Sequence, residues 1–333
     1  MASAAGFDYF HGALLGEIDQ FEHSSHGVKA WHRNKTPLVE TGFDNTLFGM
    51  KAAKIIAEHD QSASLVLFPA VTAPHSPCQA PQEALDRYAP LIADQQRHSH
   101  AAMVLVMDHE IGRVLAAIDA AWMRQTTLIV FQSGSGGVCG KMFLGEAAEA
   151  GDLPANNGPY REGKGTLYEG GTRVVGLVNW PGQVPAGEVK GMIHGVDIYP
   201  TLVSVAGAGP GLSKSLDGMD VWDAIAKGEP SPRTEVVCNV GPLGGAVRQA
   251  AMRLVGTAAL PERVKLFDLS LDPGEAANPA YQQPEMVKKL QDRIEALAEE
   301  MAPPLVIMTA IKTTYGAALV AADPGALFSQ GQD

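Results

Sequence analysis

Three short stretches of this chain carry side chains able to do chemistry. His75 stands in Pro74-His75-Ser76-Pro77, directly after an apolar run. Lys164 stands between Gly163 and Gly165, and flanking glycines let a backbone and an anion approach closely. The third stretch, Gln132-Ser133-Gly134-Ser135-Gly136-Gly137, is a glycine turn closing an apolar β-type run, Thr126 to Phe131. A serine after such a strand loosely resembles a nucleophile elbow, with Ser135 attacking and His75 as base. The pattern departs at one place, because Gly-x-Ser-x-Gly requires glycine where Ser133 stands, and no acid partner is recognisable. Nor does the turn suit a hard cation. Calcium takes six to eight oxygen ligands, largely carboxylate and carbonyl, whereas Gly134 has no side chain and Ser135 offers one neutral hydroxyl.

The remaining polar residues read as structural. His194 and Asp197 precede Pro200-Thr201-Leu202, where Asp197 is expected to cap a helix and stabilise it by about 1 kcal/mol. His98 and His100 lack i,i+4 spacing and are expected on an exposed helix end. Asp108 and Glu110 point to different faces of a helix, which argues against a carboxylate dyad. Glu169 belongs to a Glu-Gly-Gly turn and ties the loop. Cys78, Cys139 and Cys238 are widely spaced with no C-x-x-C pair, so buried thiols are expected rather than a zinc site or disulfide framework.

With 333 residues, 46% hydrophobic and 19% charged, the chain can form one large core with a smaller lobe, or two domains, and a folded rather than disordered chain is expected. A formal net charge of -12 repels nucleic acid and anionic membrane, so neither is an expected partner. The first residues carry no basic segment followed by an apolar one, and no run is long enough to span a bilayer, so the chain as it stands is expected in the cytoplasm.

The elements that position these residues alternate. Thr46 to His59 reads as a helix, Ala63 to Val71 as a short buried strand, and His98 to Met123 as a long helix. Thr126 to Gln132 reads as a strand of a sheet covered on both faces. A strand at Thr172 to Val178 and a helix at Val196 to Ala206 follow. Beyond the Pro/Gly/Ser stretch Gly228 to Arg233 come β-type runs at Glu235 to Val240, Ala250 to Val255 and Val264 to Leu269, then an amphipathic helix, Glu285 to Met301. The expected architecture is an α/β layered core over residues 1–228 and a small α+β lobe, an antiparallel sheet plus one helix, over 229–302. Residues 303–333 are apolar and Ala/Gly-rich without a clear period and receive no assignment.

The block from Thr126 through Gly163-Lys164-Gly165-Thr166-Leu167-Tyr168-Glu169-Gly170-Gly171-Thr172-Arg173 resembles the heart of calcium-dependent, formylglycine-type sulfatases, those of the arylsulfatase B kind above all. Further pieces fall in family order: Ala73 to Pro77, Met107-Asp108, Asn156 to Arg161, His194 to Leu202, Leu216 to Trp222, and Leu266 to Leu269 with Asp272 to Glu275 and Asn278. The resemblance implies a three-layer α/β sandwich of the alkaline phosphatase type. It also implies sulfuric ester hydrolysis by a formylglycine made in Cys-x-Pro-x-Arg beside calcium, with His75 and Lys164 at positions that contact sulfate.

Against that pattern, none of the three cysteines lies in Cys-x-Pro-x-Arg. The family's calcium-binding Asp-Asn pair is replaced by Gly134 and Ser135, so no metal or cofactor is expected in this chain. The family's early Asp-Asp strand has no counterpart either, and an N-terminally truncated core is expected. Three readings follow: a sulfatase given incompletely, an inactive member that binds a sulfated small molecule or glycan, or an unstable remnant. Gly134 and Ser135 lie deep inside the retained part and favour the second.

Overall fold

The computed structural model describes residues 6–138, 155–208, 215–241, 244–257 and 263–300. Cys139 and the tail 303–333 lie outside them. The chain divides into two compact units, 1–234 with 271–276, and 235–270 with 277–333.

The first unit opens with a small antiparallel sheet, β1 (His11–Ala13), β4 (Trp31–Arg33) and β5 (Thr36–Pro37), in the order β1-β4-β5. A hairpin of β2 (Ser24–Ser25) and β3 (Val28–Lys29) interrupts it. Trp31 is fully buried, stacked on His23 with ring centroids 4.4 Å apart, and its indole N–H donates to Glu40 at 2.8 Å. A buried indole keeps its N–H satisfied this way while the ring contributes apolar burial.

Three helices follow: α1 (Asp44–Glu58), α2 (Gln82–Tyr88) and α3 (Gln95–Ala120). Asp94 caps α3 by accepting from the Arg97 N–H at 2.7 Å. The close approach of α1 to α3 depends on Gly49, where a Cβ would stand 2.2 Å from a carboxylate oxygen of Glu110. Glu110 is buried and accepts from Arg113 at 2.7 Å, while Asp108 faces solvent, so the two carboxylates do separate. His98 and His100 are half-buried rather than exposed, because α3 begins three residues before His98 and its first turns pack on α2; His98 bonds the Leu85 carbonyl.

Strand β6 (Ile129–Gln132) pairs antiparallel with β7 (Gly176–Asn179), after the short turn of helix α4 (Glu169–Thr172). Two expectations fail here. Residues 63–71 form no strand, and Val66 and Phe68 are 76% and 73% exposed. β6 is not covered on both faces either, since its side chains alternate between half-buried and exposed. An apolar β-type run becomes a buried strand only where a neighbour pairs its backbone; among the described residues no strand pairs with 63–71, and its backbone bonds are short-range, such as the Ala70 N–H to the Phe68 carbonyl at 3.1 Å.

Helices α5 (Ile198–Val205) and α6 (Trp222–Ala226) complete the unit. Asp197 does not cap α5 through its side chain. It is fully buried and accepts from the backbone N–H groups of His194 and Met219, both at 2.8 Å, and from Arg233. Burial alone would raise its carboxyl; the Arg233 bond and the two backbone donors outweigh that and hold it below the usual carboxylate range.

The second unit is a four-stranded antiparallel sheet in the order β11-β10-β9-β8, with β8 (Glu235–Gly241), β9 (Gly244–Gln249), β10 (Met252–Thr257) and β11 (Arg263–Asp268), and helix α7 (Pro284–Glu299). Val247, Leu254 and Leu266 stand opposite one another across three strands, and Leu290 of α7 packs on them; all four are fully buried. The Gly244-Gly245 start of β9 carries no strand preference, and pairing on both sides sustains it. Cys78 and Cys238, expected buried, are half-buried. Among the described residues, no helix is long and apolar enough to cross a membrane.

Candidate functional site

The two cationic candidates, 89 positions apart, meet. Lys164 Nζ and His75 Nε2 are 2.8 Å apart, both side chains half-buried. The proton positions follow from their partners. His75 Nδ1 lies 2.9 Å from the Ser76 carbonyl oxygen, which can only accept, so Nδ1 carries the hydrogen in the neutral ring. Nε2 then presents a lone pair, and the Lys164 ammonium donates to it.

His75 is placed by a buried polar cluster at the head of α1. Its N–H donates to the Thr72 carbonyl at 2.8 Å, and the peptide bonds before Pro74 and Pro77 are both cis. Asn45 accepts from the Ala73 N–H at 3.1 Å and donates to Thr72 Oγ1 at 3.1 Å, and the Thr72 hydroxyl bonds Asp44. The Gln20 amide nitrogen, turned toward Asp44, donates to both of its carboxylate oxygens at 2.8 and 2.9 Å. Burial pushes the Asp44 carboxyl up, and the bonds from Thr72 and Asn45 offset only part of that.

Lys164 is placed by glycines packed on glycines. Its backbone N–H donates to the Gly137 carbonyl at 3.1 Å, and Gly136 donates to the Gly171 carbonyl at 3.1 Å. A Cβ on Gly136 would stand 1.7 Å from the Gly170 carbonyl oxygen, and one on Gly170 would stand 2.2 Å from that of Glu162. Asn157 locks the same loops: it accepts from the Gly137 N–H at 2.9 Å and donates to the carbonyls of Gly137 and Glu162 at 3.0 and 2.8 Å. Glu169, buried, bonds Arg173 at 3.1 Å and ties the turn, as its place in Glu-Gly-Gly suggested. The positioning roles of Asn157 and Asn45 escaped sequence reading; Asn157 lies in the family-like segment Asn156 to Arg161, but only the folded loops reveal what it bonds.

The serine-hydrolase reading finds no support. Ser135 Oγ donates to the Gly136 carbonyl at 3.2 Å, Ser133 Oγ to the Ser135 carbonyl at 2.9 Å, and both ring nitrogens of His75 are engaged elsewhere. Calcium, which the family resemblance implies at Gly134 and Ser135, does not fit the residues there either. Gly134 is exposed, with nothing within 4 Å of where a Cβ would be, and Ser135 presents only its hydroxyl. Among the described residues no group of three or more His, Cys, Asp or Glu side chains could hold a metal. What remains is an ammonium beside an imidazole, held from opposite sides by rigid backbone, an arrangement that can bind an oxyanion.

Comparison with known proteins bears on the fold and family. Arylsulfatase J of Mus musculus is 33% identical over 252 residues, covering 73% of this chain. The chain spans only 40% of that relative's length. Among solved structures, that of Ps i-CgsB in complex with k-i-k-neocarrahexaose superposes with a TM-score of 0.78 at 24% identity, covering 89% of this chain and 67% of that one. A protein in complex with its substrate D-glucosamine-2-N,6-O-disulfate superposes with a TM-score of 0.69 at 14% identity, covering 88% and 76%. These likenesses establish the alkaline phosphatase-like α/β fold; nothing in them singles out arylsulfatase B. The family model described as Sulfatase matches residues 1–208, and the chain therefore belongs to the sulfatase family.

Proposed function

We propose that this sulfatase-family chain binds a sulfate ester, on a sulfated small molecule or glycan, through His75 and Lys164, and does not hydrolyse it. The observation that carries the reading is the 2.8 Å approach of Lys164 Nζ to His75 Nε2. A sulfate oxygen entering between them accepts from the ammonium. Nε2 then takes up a proton and donates to a second oxygen, so binding consumes a proton. The neocarrahexaose bound to Ps i-CgsB and the disulfated glucosamine of the other complex belong to those proteins, but a sugar in the one and a sulfated sugar in the other suggest the chemical class expected here.

The absence of turnover is inferred from residues that are present. Gly134 and Ser135 supply no carboxylate where the family holds calcium. The competing reading, an active sulfatase, draws on the family match over residues 1–208 and on the relatives' names.

The test is titration with inorganic sulfate, followed by the His75 imidazole signals in NMR and by calorimetry in two buffers of different ionisation enthalpy. Saturable binding with proton uptake is expected, weakened about tenfold in Lys164→Met by loss of one charge-assisted hydrogen bond. Unmoved His75 signals would sink the binding reading. Turnover of nitrocatechol sulfate that depends on added calcium would sink its non-hydrolytic part.

A further inference from the structure

The loop that follows β1 reaches the same site from its own side. It is pinned at both ends, by the Leu14 N–H to the Ala30 carbonyl at 3.0 Å and by the Asp19 N–H to the Ser24 carbonyl at 2.8 Å. Ile18 and Gln20 anchor it in the interior. Side chains then clasp it to the His75 segment. Gln79 accepts from the Gln20 N–H at 2.8 Å and donates to Asp19 at 2.7 Å, and the Ser76 hydroxyl donates to Glu17 Oε1 at 3.3 Å. Leu14, Leu15 and Glu17 face solvent. Ser76 Oγ is 3.5 Å from His75 Nδ1. Those two steps and the width of an imidazole ring bring the Glu17 carboxylate within about 9 Å of Nε2, a range over which unit charges still interact at low salt.

We propose that Glu17, beside Leu14 and Leu15, forms the subsite for the alcohol half of the ester and selects against ligands carrying a second anionic group. This rests on the assignment of His75 and Lys164 to the sulfate. With sulfate held there, the ring bearing the ester lies along the Leu14–Glu17 loop. The carboxylate accepts hydrogen bonds from sugar hydroxyls and repels a second sulfate or carboxylate. Nothing on the loop offsets that repulsion, since Glu17 and Asp19 are its only charged residues, and Lys29 beyond it pairs with Glu22 at 3.6 Å. The ligand class is therefore a monosulfated, otherwise neutral sugar.

The experiment compares the intact chain with Glu17→Gln at low ionic strength, using three probes: inorganic sulfate, glucose sulfated at its primary hydroxyl, and D-glucosamine-2-N,6-O-disulfate. Dissociation constants are read from the His75 signals. Gln retains an acceptor oxygen and loses the charge, so all three probes are expected to tighten slightly, while the disulfate tightens about fivefold more than the monosulfate. Ser76→Ala, which releases Glu17 from its anchor, is expected to reduce the same discrimination and provides a second route if Glu17→Gln fails to melt cooperatively. Equal responses of monosulfate and disulfate, in either folded variant, overturn the selectivity and leave the sulfate site standing. If inorganic sulfate leaves the wild-type His75 signals unmoved, the site assignment itself fails and this inference with it.

Discussion

Gly134 and Gly136 stand two residues apart in one turn, yet the structure assigns them opposite tolerances. Neither has a positive φ that would bar alanine, so the outcome rests on what a Cβ would meet. At Gly134 it meets nothing within 4 Å. Gly134→Ala is expected to lie within about 1 kcal/mol of wild type, because its main effect is to restrict the unfolded chain. At Gly136 the new carbon would be 1.7 Å from the Gly170 carbonyl oxygen, 2.8 Å from its carbon and 3.2 Å from Gly171 Cα. Ordinary contact needs roughly 3.5 Å, so backbone has to move by nearly 2 Å. Gly170 cannot retreat, since it already lies against the carbonyls of Arg161 and Glu162 and donates to the former at 2.9 Å. Overpacking against backbone fixed on both sides places Gly136→Ala at the upper end of such substitutions, about 3 kcal/mol.

The displaced segment also carries Gly137, whose carbonyl accepts from Lys164, so the lysine leaves His75. Urea unfolding of the three proteins gives the energies, and amide exchange at Gly136 and Lys164 with the His75 imidazole shifts gives the geometry. A Gly136→Ala protein within 1 kcal/mol of wild type, with protected amides and unchanged His75 signals, would refute the claim that glycine-on-glycine packing places the lysine.

Other outcomes follow from the buried charges. Asp197→Asn is expected to destabilise by about 3 kcal/mol at neutral pH, because it leaves Arg233 without its buried counter-charge; unfolding midpoints at matched pH measure this. Since the Asp197 carboxyl is held below its ordinary value of 3.8, its contribution is complete above that pH and fades as pH falls through the lowered folded value, so the gap between the two proteins closes in acid. Asp44 has the opposite sign. Burial raises its carboxyl, the native state binds the proton more tightly than the unfolded one, and stability declines as pH climbs from 3.8 through the raised value. The difference between wild type and Asp44→Asn isolates that slope, and a difference that does not change across this window would contradict it.

The amino-acid order by itself determined the long helices and three of the four strands of the regular lobe. Hydrophobic period is a local property, so the helix expected over Thr46 to His59 appears at Asp44–Glu58, and that expected over Glu285 to Met301 at Pro284–Glu299. It also determined which residues carry charge beside glycine and proline, and so marked His75 and Lys164. Tertiary structure alone decided whether an apolar run becomes a strand. Ile129 to Gln132, the end of the run from Thr126, found a partner in β7, while 63–71, equally apolar, joins no strand among the described residues and leaves Val66 and Phe68 in solvent. The same holds for β9, which its Gly-Gly start concealed and its two neighbours sustain. It also decided that His75 and Lys164 touch, because that contact depends on Asn45 and Asn157 bonding backbone groups from elsewhere in the chain. Local sequence sets dihedral preference, side-chain type and charge. Backbone hydrogen bonds between distant segments are satisfied only in the assembled fold, and in this protein they place the site.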